Sequence, residues 1–206
     1  MNERTARAAN GAGNSLVERN RSCLLVIDVQ QYFLDKLELQ DREPLVRRIA
    51  WMMQVARLLE IPIIATAEDI ARDGPLVPDL VRELPAGVTV FDKKIFGLCD
   101  QPDIRGAVDD MAAAGRDQFV LAGLETDVCI AHSAFGLAAA GYRPVVIDDA
   151  CASPSPHHDH GLRRLRDAGI TVTSVKGIFY EWVRDLETCG RVRKQINEPL
   201  PPGLTL

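Results

Sequence analysis

The sequence predicts an α/β protein, a three-layer α/β/α sandwich around a six-stranded, mainly parallel sheet. Three observations predict it. Six short apolar runs recur along the chain and are mostly continuous rather than alternating, as in parallel strands covered on both faces. Helix-like segments separate these runs, and that alternation places helices on both sides of one sheet. No break in composition divides the 206 residues, which suit one domain with a sizeable core.

In chain order, residues 1–20 (MNERTARAANGAGNSLVERN) lack the apolar centre of a secretory signal and read as a flexible arm. The first strand is CLLVID, 23–28. A helix is expected from about Pro44 to Glu60, with Pro44 in its first turn. Leu45, Ile49, Met52, Met53, Ala56 and Leu59 form its apolar stripe. The second strand is IPIIAT, 61–66, and the loop-rich segment 67–87 holds one short helix at most. The third strand is VTVFD, 88–92, the fourth QFVLA, 118–122, the fifth PVVID, 144–148, and the sixth ITVTSV, 170–175. Helices near 104–114, 128–140 and 157–168 each close at a glycine: Gly115, Gly141 and Gly169. The main folded unit is expected over 21–185, and 186–206 reads as a C-terminal helix and extended arm at a subunit interface.

Composition narrows the function. Apolar residues make up 47% and charged residues 26% of the chain, ordinary for a globular protein. The net charge of −5 argues against nucleic acid or an anionic membrane as partner, and no apolar run approaches membrane-spanning length. Five cysteines, odd in number and without a C-x-x-C pair, fit a reducing cytoplasm. VQQYF follows the first strand where a nucleotide site needs a glycine-rich turn, and GLAAAG at 136–141 lacks the Lys and Ser/Thr of a phosphate loop. No cofactor is expected, and the partner is a small-molecule substrate.

Parallel sheets bind ligands at the carboxyl ends of their strands. Asp28 ends the first strand, Lys93 follows the third, and Cys129 follows the fourth where a polar turn, GLETD, becomes a helix. A helix N-terminus stabilises a thiolate and a developing oxyanion. A carboxylate can take the thiol proton, a lysine can stabilise the charge, and the N–H groups of Cys129 and Val128 can hold the oxyanion. Gln30 and Phe33 are substrate-binding positions by placement, and Glu68 either lines the pocket or caps the next loop. His132, three residues after Cys129, reads as a packing residue. Cys151 reads as a thiol at the pocket mouth without an acid or base partner. His157, His158 and His160 read as a polar cap rather than a metal site.

LLVIDVQQYF, VFDKKIFG and LAGLETDVCIAHSAFGLAAAGYRPVVIDDACAS resemble the three signature blocks of the isochorismatase-like cysteine hydrolases, which include nicotinamidases and N-carbamoyl amidohydrolases. The resemblance runs from about Ser22 to Tyr180. It implies a sheet ordered 3-2-1-4-5-6 and an Asp–Lys–Cys triad at Asp28, Lys93 and Cys129. Phe96, three residues after Lys93, fits the family pattern, whereas Lys94 is off by one. The resemblance also implies a cis non-proline peptide near Val128 and a homo-oligomer (dimer or tetramer), with Met52, Met53 and the C-terminal arm as contacts.

Two departures bear on the substrate. ATAEDIARDG has no histidine where metal-using nicotinamidases carry Asp-x-His, so no metal is expected. Gly97 stands where relatives often have serine. The expected activity is metal-independent hydrolysis of an amide, carbamoyl or imide C–N bond through a thioester. The alternatives are a vinyl-ether hydrolase using Asp28 without the cysteine, and a non-catalytic binding or thiol-sensing protein.

Overall fold

The computed structural model describes residues 16–196 and 198–206. Its sheet comprises β1 (Ser22–Ile27), β2 (Ile63–Glu68), β3 (Val90–Lys93), β4 (Gln118–Leu124), β5 (Arg143–Ala152) and β6 (Thr171–Thr173), all parallel, in the order 3-2-1-4-5-6. The helices that cover it are α1 (Leu39–Leu58), α2 (Pro102–Ala113), α3 (Ala131–Ala139), α4 (His157–Asp167), α5 (Val175–Val183) and α6 (Leu186–Gln195).

Side chains alternate across a strand, so β1 feeds two cores. Leu24 and Val26 join Val120, Ala122 and Val145 beneath α1, α5 and α6. Cys23, Leu25 and Ile27 join Phe119, Leu121 and Val146 beneath α2, α3 and α4. Every residue of β1 and β4 is buried, which explains why those strands read as continuous apolar runs.

Several boundaries differ from expectation. α1 begins at Leu39, so Pro44 lies inside it; the Arg42 guanidinium bonds the Leu37 carbonyl and Asp35, securing the extra first turn. Segment 67–87 holds two single-turn helices, at Ile70–Asp73 and Pro78–Val81. β5 continues past Asp148 to Ala152 through a register shift opposite Leu121 and Gly123. Asp149 turns out there to accept the Val175 N–H at 2.7 Å. β6 stops at Thr173 because the next residue, Ser174, caps α5, its Oγ accepting the Gly177 N–H at 3.1 Å.

Residues 1–15 of the expected arm lie outside the described residues. Of residues 16–20, Val17 is buried and the Glu18 N–H donates to Gln118 at 2.7 Å. Met52 and Met53 are core residues under the sheet, not subunit contacts, because the α1 stripe that carries them is the one that packs on β5 and β1. After α6, Leu200, Leu204 and Leu206 pack on the same core of their own chain.

Candidate active site

Four polar side chains meet at the carboxyl edge of the sheet. Asp28 follows β1 with φ 53°, a left-handed conformation that aspartate tolerates better than most residues. Its N–H donates to the Thr66 carbonyl at 3.1 Å, which fixes the turn against β2. Glu68 and Lys93 end β2 and β3 and are paired in register. Cys129 lies in a single π turn, Thr126–Ile130, leading into α3. The Ile130 N–H reaches back to the Glu125 carbonyl at 3.1 Å, and the Ser133 hydroxyl donates to the Cys129 carbonyl at 2.6 Å.

Lys93 is the hub. Its Nζ lies 2.9 Å from Asp28 Oδ2, 3.2 Å from Glu68 Oε2 and 3.5 Å from Cys129 Sγ, and it also donates to the Ile95 carbonyl at 3.2 Å. The other Asp28 oxygen, Oδ1, accepts the Thr66 hydroxyl at 2.8 Å. The Cys129 thiol donates to Glu68 Oε2 at 3.3 Å. Asp28 and Lys93 have fully buried side chains.

Burial sets the protonation preferences. Desolvation pushes the Asp28 carboxyl up, with Lys93, Thr66 and the Cys129 thiol opposing. Desolvation lowers Lys93, but the charges of Asp28, Cys129 and Glu68 outweigh it and hold the ammonium above its ordinary value. The Cys129 thiol is raised by desolvation first and by the Asp28 carboxylate second, with Lys93 opposing. The surroundings therefore favour the ammonium form of Lys93 and the protonated form of the Cys129 thiol beside it.

Replacing Lys93 with methionine leaves two inward carboxylates without their cation, which costs about 3–5 kcal/mol of stability. The unpaired Asp28 then binds its proton still more tightly folded than unfolded. Stability of Lys93→Met therefore falls as pH rises through the range between the two pKa values. Urea midpoints for both proteins at pH 5 and pH 8 check this, the larger deficit appearing at pH 8.

Asp28, Glu68 and Cys129 offer ligand atoms within 4.8 Å of one another. The Lys93 ammonium touches all three. A metal ion at their centre would have to displace that cation, so this donor set does not fit one.

The other expected site residues divide. The Gln30 amide is buried and bonded wholly to backbone: Nε2 donates to the Glu68 and Gly74 carbonyls at 2.7 Å, and Oε1 accepts the Glu68 N–H at 2.6 Å. It positions Glu68 from behind. Phe33 is buried edge-on to Tyr32, with the Lys36 ammonium 4.4 Å from its ring centroid and 2.9 Å from Glu125. Phe96 is half exposed, with Lys93 Nζ 5.9 Å from its ring centroid. The Val128 N–H already meets the Glu125 carbonyl at 3.2 Å. The cis non-proline bond is Leu124–Glu125, at the exit of β4, rather than next to Val128.

His132 stacks edge-on with Phe96, ring centroids 5.9 Å apart. The His158 ring meets the Thr126 hydroxyl at 2.8 Å, and desolvation lowers its pKa. Cys151 is buried against the Leu121 carbonyl rather than at the pocket mouth, because the ladder resumes after the β5 irregularity and turns it inward. Desolvation pushes its thiol up to about 12. A Cβ at Gly97 would meet the terminal oxygen of the Asp100 side chain at 2.6 Å and the His132 carbonyl at 3.5 Å, so a serine there requires only that the Asp100 carboxylate turn aside. Thr66 was not foreseen. Only the β1–β2 register, Ile27 opposite Thr66, brings it to Asp28.

A wholly parallel α/β sheet of this order gathers these polar groups at the carboxyl ends of its strands, where such sheets bind ligands. The isochorismatase domain model matches residues 22–177, and the chain belongs to the isochorismatase family of hydrolases. It is 30% identical over 186 residues to isochorismatase domain-containing protein 2A of Mus musculus, covering 87% of this chain and 84% of that one. Among solved structures it superposes on the MAR1 ribonuclease of Caenorhabditis elegans with a TM-score of 0.79 at 23% identity, covering 93% of this chain and 98% of that one. It superposes on the YcaC product of Escherichia coli, an octameric hydrolase of unknown specificity, with a TM-score of 0.77 at 23% identity, covering 87% and 88%. At these identities both structures attest the fold. Among the described residues no helix is long and apolar enough to cross a membrane.

Proposed function

We propose that this protein is a metal-independent cysteine hydrolase that cleaves the C–N bond of a small amide, carbamoyl or imide substrate through a thioester. The observation that carries the reading is the contact of one buried ammonium, Lys93, with both a carboxylate and the Cys129 sulfur. Cys129 is the nucleophile. Lys93 steadies the negative charge that reaches sulfur or the substrate oxygen, and Asp28 is the base that serves the attacking water. The oxyanion forms at the backbone N–H of Cys129, with the Val128 N–H shared with Glu125.

Phe96 and Phe33 are the apolar walls of the substrate site. We further place the enzyme in the cytoplasm as a homo-oligomer. Five unpaired cysteines support a reducing compartment, and the octameric Escherichia coli relative supports assembly. A net charge of −5 supports a small-molecule substrate over RNA, although one structural relative is described as a ribonuclease.

Ammonia or amine release from a panel of primary amides, N-carbamoyl amino acids and cyclic imides tests the reading. Wild type turns over at least one class, and Asp28→Asn is slower on it by about 10²–10⁴-fold. Turnover of a vinyl ether alone, with every C–N substrate inert, contradicts it.

A further inference from the structure

Two carboxylates border the Cys129 thiol, and a hydrolytic cycle through a thioester needs two proton transfers. We infer that Glu68 is a second catalytic carboxylate, taking the thiol proton as sulfur attacks and passing it to the leaving nitrogen, while Asp28 serves the water that follows. The inference rests on the cysteine-hydrolase reading and divides its proton traffic between two residues.

The geometry favours Glu68 for the first transfer. Its Oε2 accepts the thiol at 3.3 Å. Asp28 Oδ1 accepts Thr66 at 2.8 Å and Oδ2 is an ion-pair neighbour of Lys93 at 2.9 Å without a hydrogen bond, while the thiol's own hydrogen bond goes to Glu68. The Asp28 side chain is fully buried, whereas that of Glu68 is 12% exposed and can exchange a proton with solvent. Gln30 clamps the Glu68 backbone from both sides, so the carboxylate is aimed from a fixed base. On its outer side Glu68 Oε1 faces Arg72 at 3.6 Å, and Arg72 is itself held by Asp69 and Asp73; Lys94 neutralises Asp69 at 2.7 Å. Inward, Glu68 faces Lys93, Cys129 and Asp28.

The steps balance. The S–H proton moves to Glu68 as the S–C bond forms and the carbonyl pair moves to oxygen. The carbonyl re-forms, the C–N bond breaks, and Glu68 protonates the departing nitrogen. Water then adds with its proton going to Asp28, the C–S bond breaks, and that proton returns to sulfur. The cycle ends with a neutral thiol and two carboxylates.

Iodoacetamide tests the first transfer without a known substrate, since the sulfur displaces iodide and its proton must go to a neighbouring base or to solvent. Labelling rates are followed by peptide mapping from about pH 6 to 9, with Cys99, a half-buried thiol outside the cluster, as the ordinary thiol in the same digest. In wild type the Cys129 rate is flat across this range, because transfer within the thiol–Glu68 pair draws no proton from solvent. The Cys99 rate rises about tenfold per pH unit, as for any thiol below its pKa. Glu68→Gln loses the plateau, so Cys129 follows the slope of Cys99. Glu68→Asp restores it, and Asp28→Asn keeps it.

A plateau that survives in Glu68→Gln, or disappears in Asp28→Asn, gives the thiol proton to Asp28 and overturns the inference. Should Glu68→Gln not fold, by circular dichroism, the wild-type profile decides alone: a Cys129 rate that rises tenfold per unit has no internal acceptor. Absence of any Cys129 labelling refutes the nucleophile itself and is thereby distinguished from a failure of Glu68's part.

Discussion

Cys129→Ala loses turnover by about 10⁴-fold or more and keeps its fold. The loss is large because a covalent path disappears, and the remaining groups are arranged around a sulfur rather than around water. Lys93 and Glu68 both point at Sγ, at 3.5 and 3.3 Å. Stability changes by only about 1 kcal/mol, since one small side chain is shortened in a site whose ion pairs remain. Turnover on the C–N panel and the thermal midpoint of the same preparation check the two halves. Normal turnover of the C–N substrates in this variant would contradict the covalent path through Cys129.

Gly123→Ala has the largest expected effect on stability. Gly123 sits in β4 at φ 133°, a conformation essentially reserved for glycine, and a Cβ there would lie 1.9 Å from the Ile27 carbonyl oxygen. β1 and β4 are the two central strands, and Gly123 pairs with Ile27, the residue before Asp28. Relief requires the strands to separate where the site is assembled, which costs more than about 4 kcal/mol and lowers activity in whatever protein still folds. Gly141→Ala is the control: it also has positive φ, 86°, but its Cβ meets nothing within 4 Å, and it loses about 1 kcal/mol. Urea midpoints rank the two. Similar losses would show that the β1–β4 approach is not tight.

The parts of the site carried on strand ends were legible in the sequence. Asp28, Lys93 and Cys129 each follow an apolar run, and a parallel sheet brings such positions to one edge whatever the loop lengths. Glu68 was visible for the same reason, as the residue that closes the second run, but its contact with sulfur was not, because that depends on side-chain length and aim. Thr66 depends on register, which no local pattern encodes. Gln30 sits beside Asp28 in sequence and looked like a pocket wall, yet its amide spends all its bonds on the 68–74 backbone. The fifth strand was cut short because Asp148 and Asp149 interrupt its apolar run, while the ladder resumes at Cys151 after a register shift. Met52 and Met53 belonged to a correctly read stripe. Only their assignment to a subunit contact failed, since a stripe that faces the sheet has no surface left to offer.

The most direct test of the central claim is the site of first alkylation: intact mass and peptide mapping after brief exposure of wild-type protein to iodoacetamide near neutral pH. Exposure alone favours Cys99, the half-buried thiol, because Cys23, Cys129, Cys151 and Cys189 are all buried. Burial raises the Cys23, Cys151 and Cys129 thiols alike, but Cys23 and Cys151 donate to backbone carbonyls whereas Cys129 donates to the Glu68 carboxylate at 3.3 Å. The account predicts a single adduct at Cys129, where Lys93 and a carboxylate flank the sulfur. First labelling at Cys99 with Cys129 inert would contradict it.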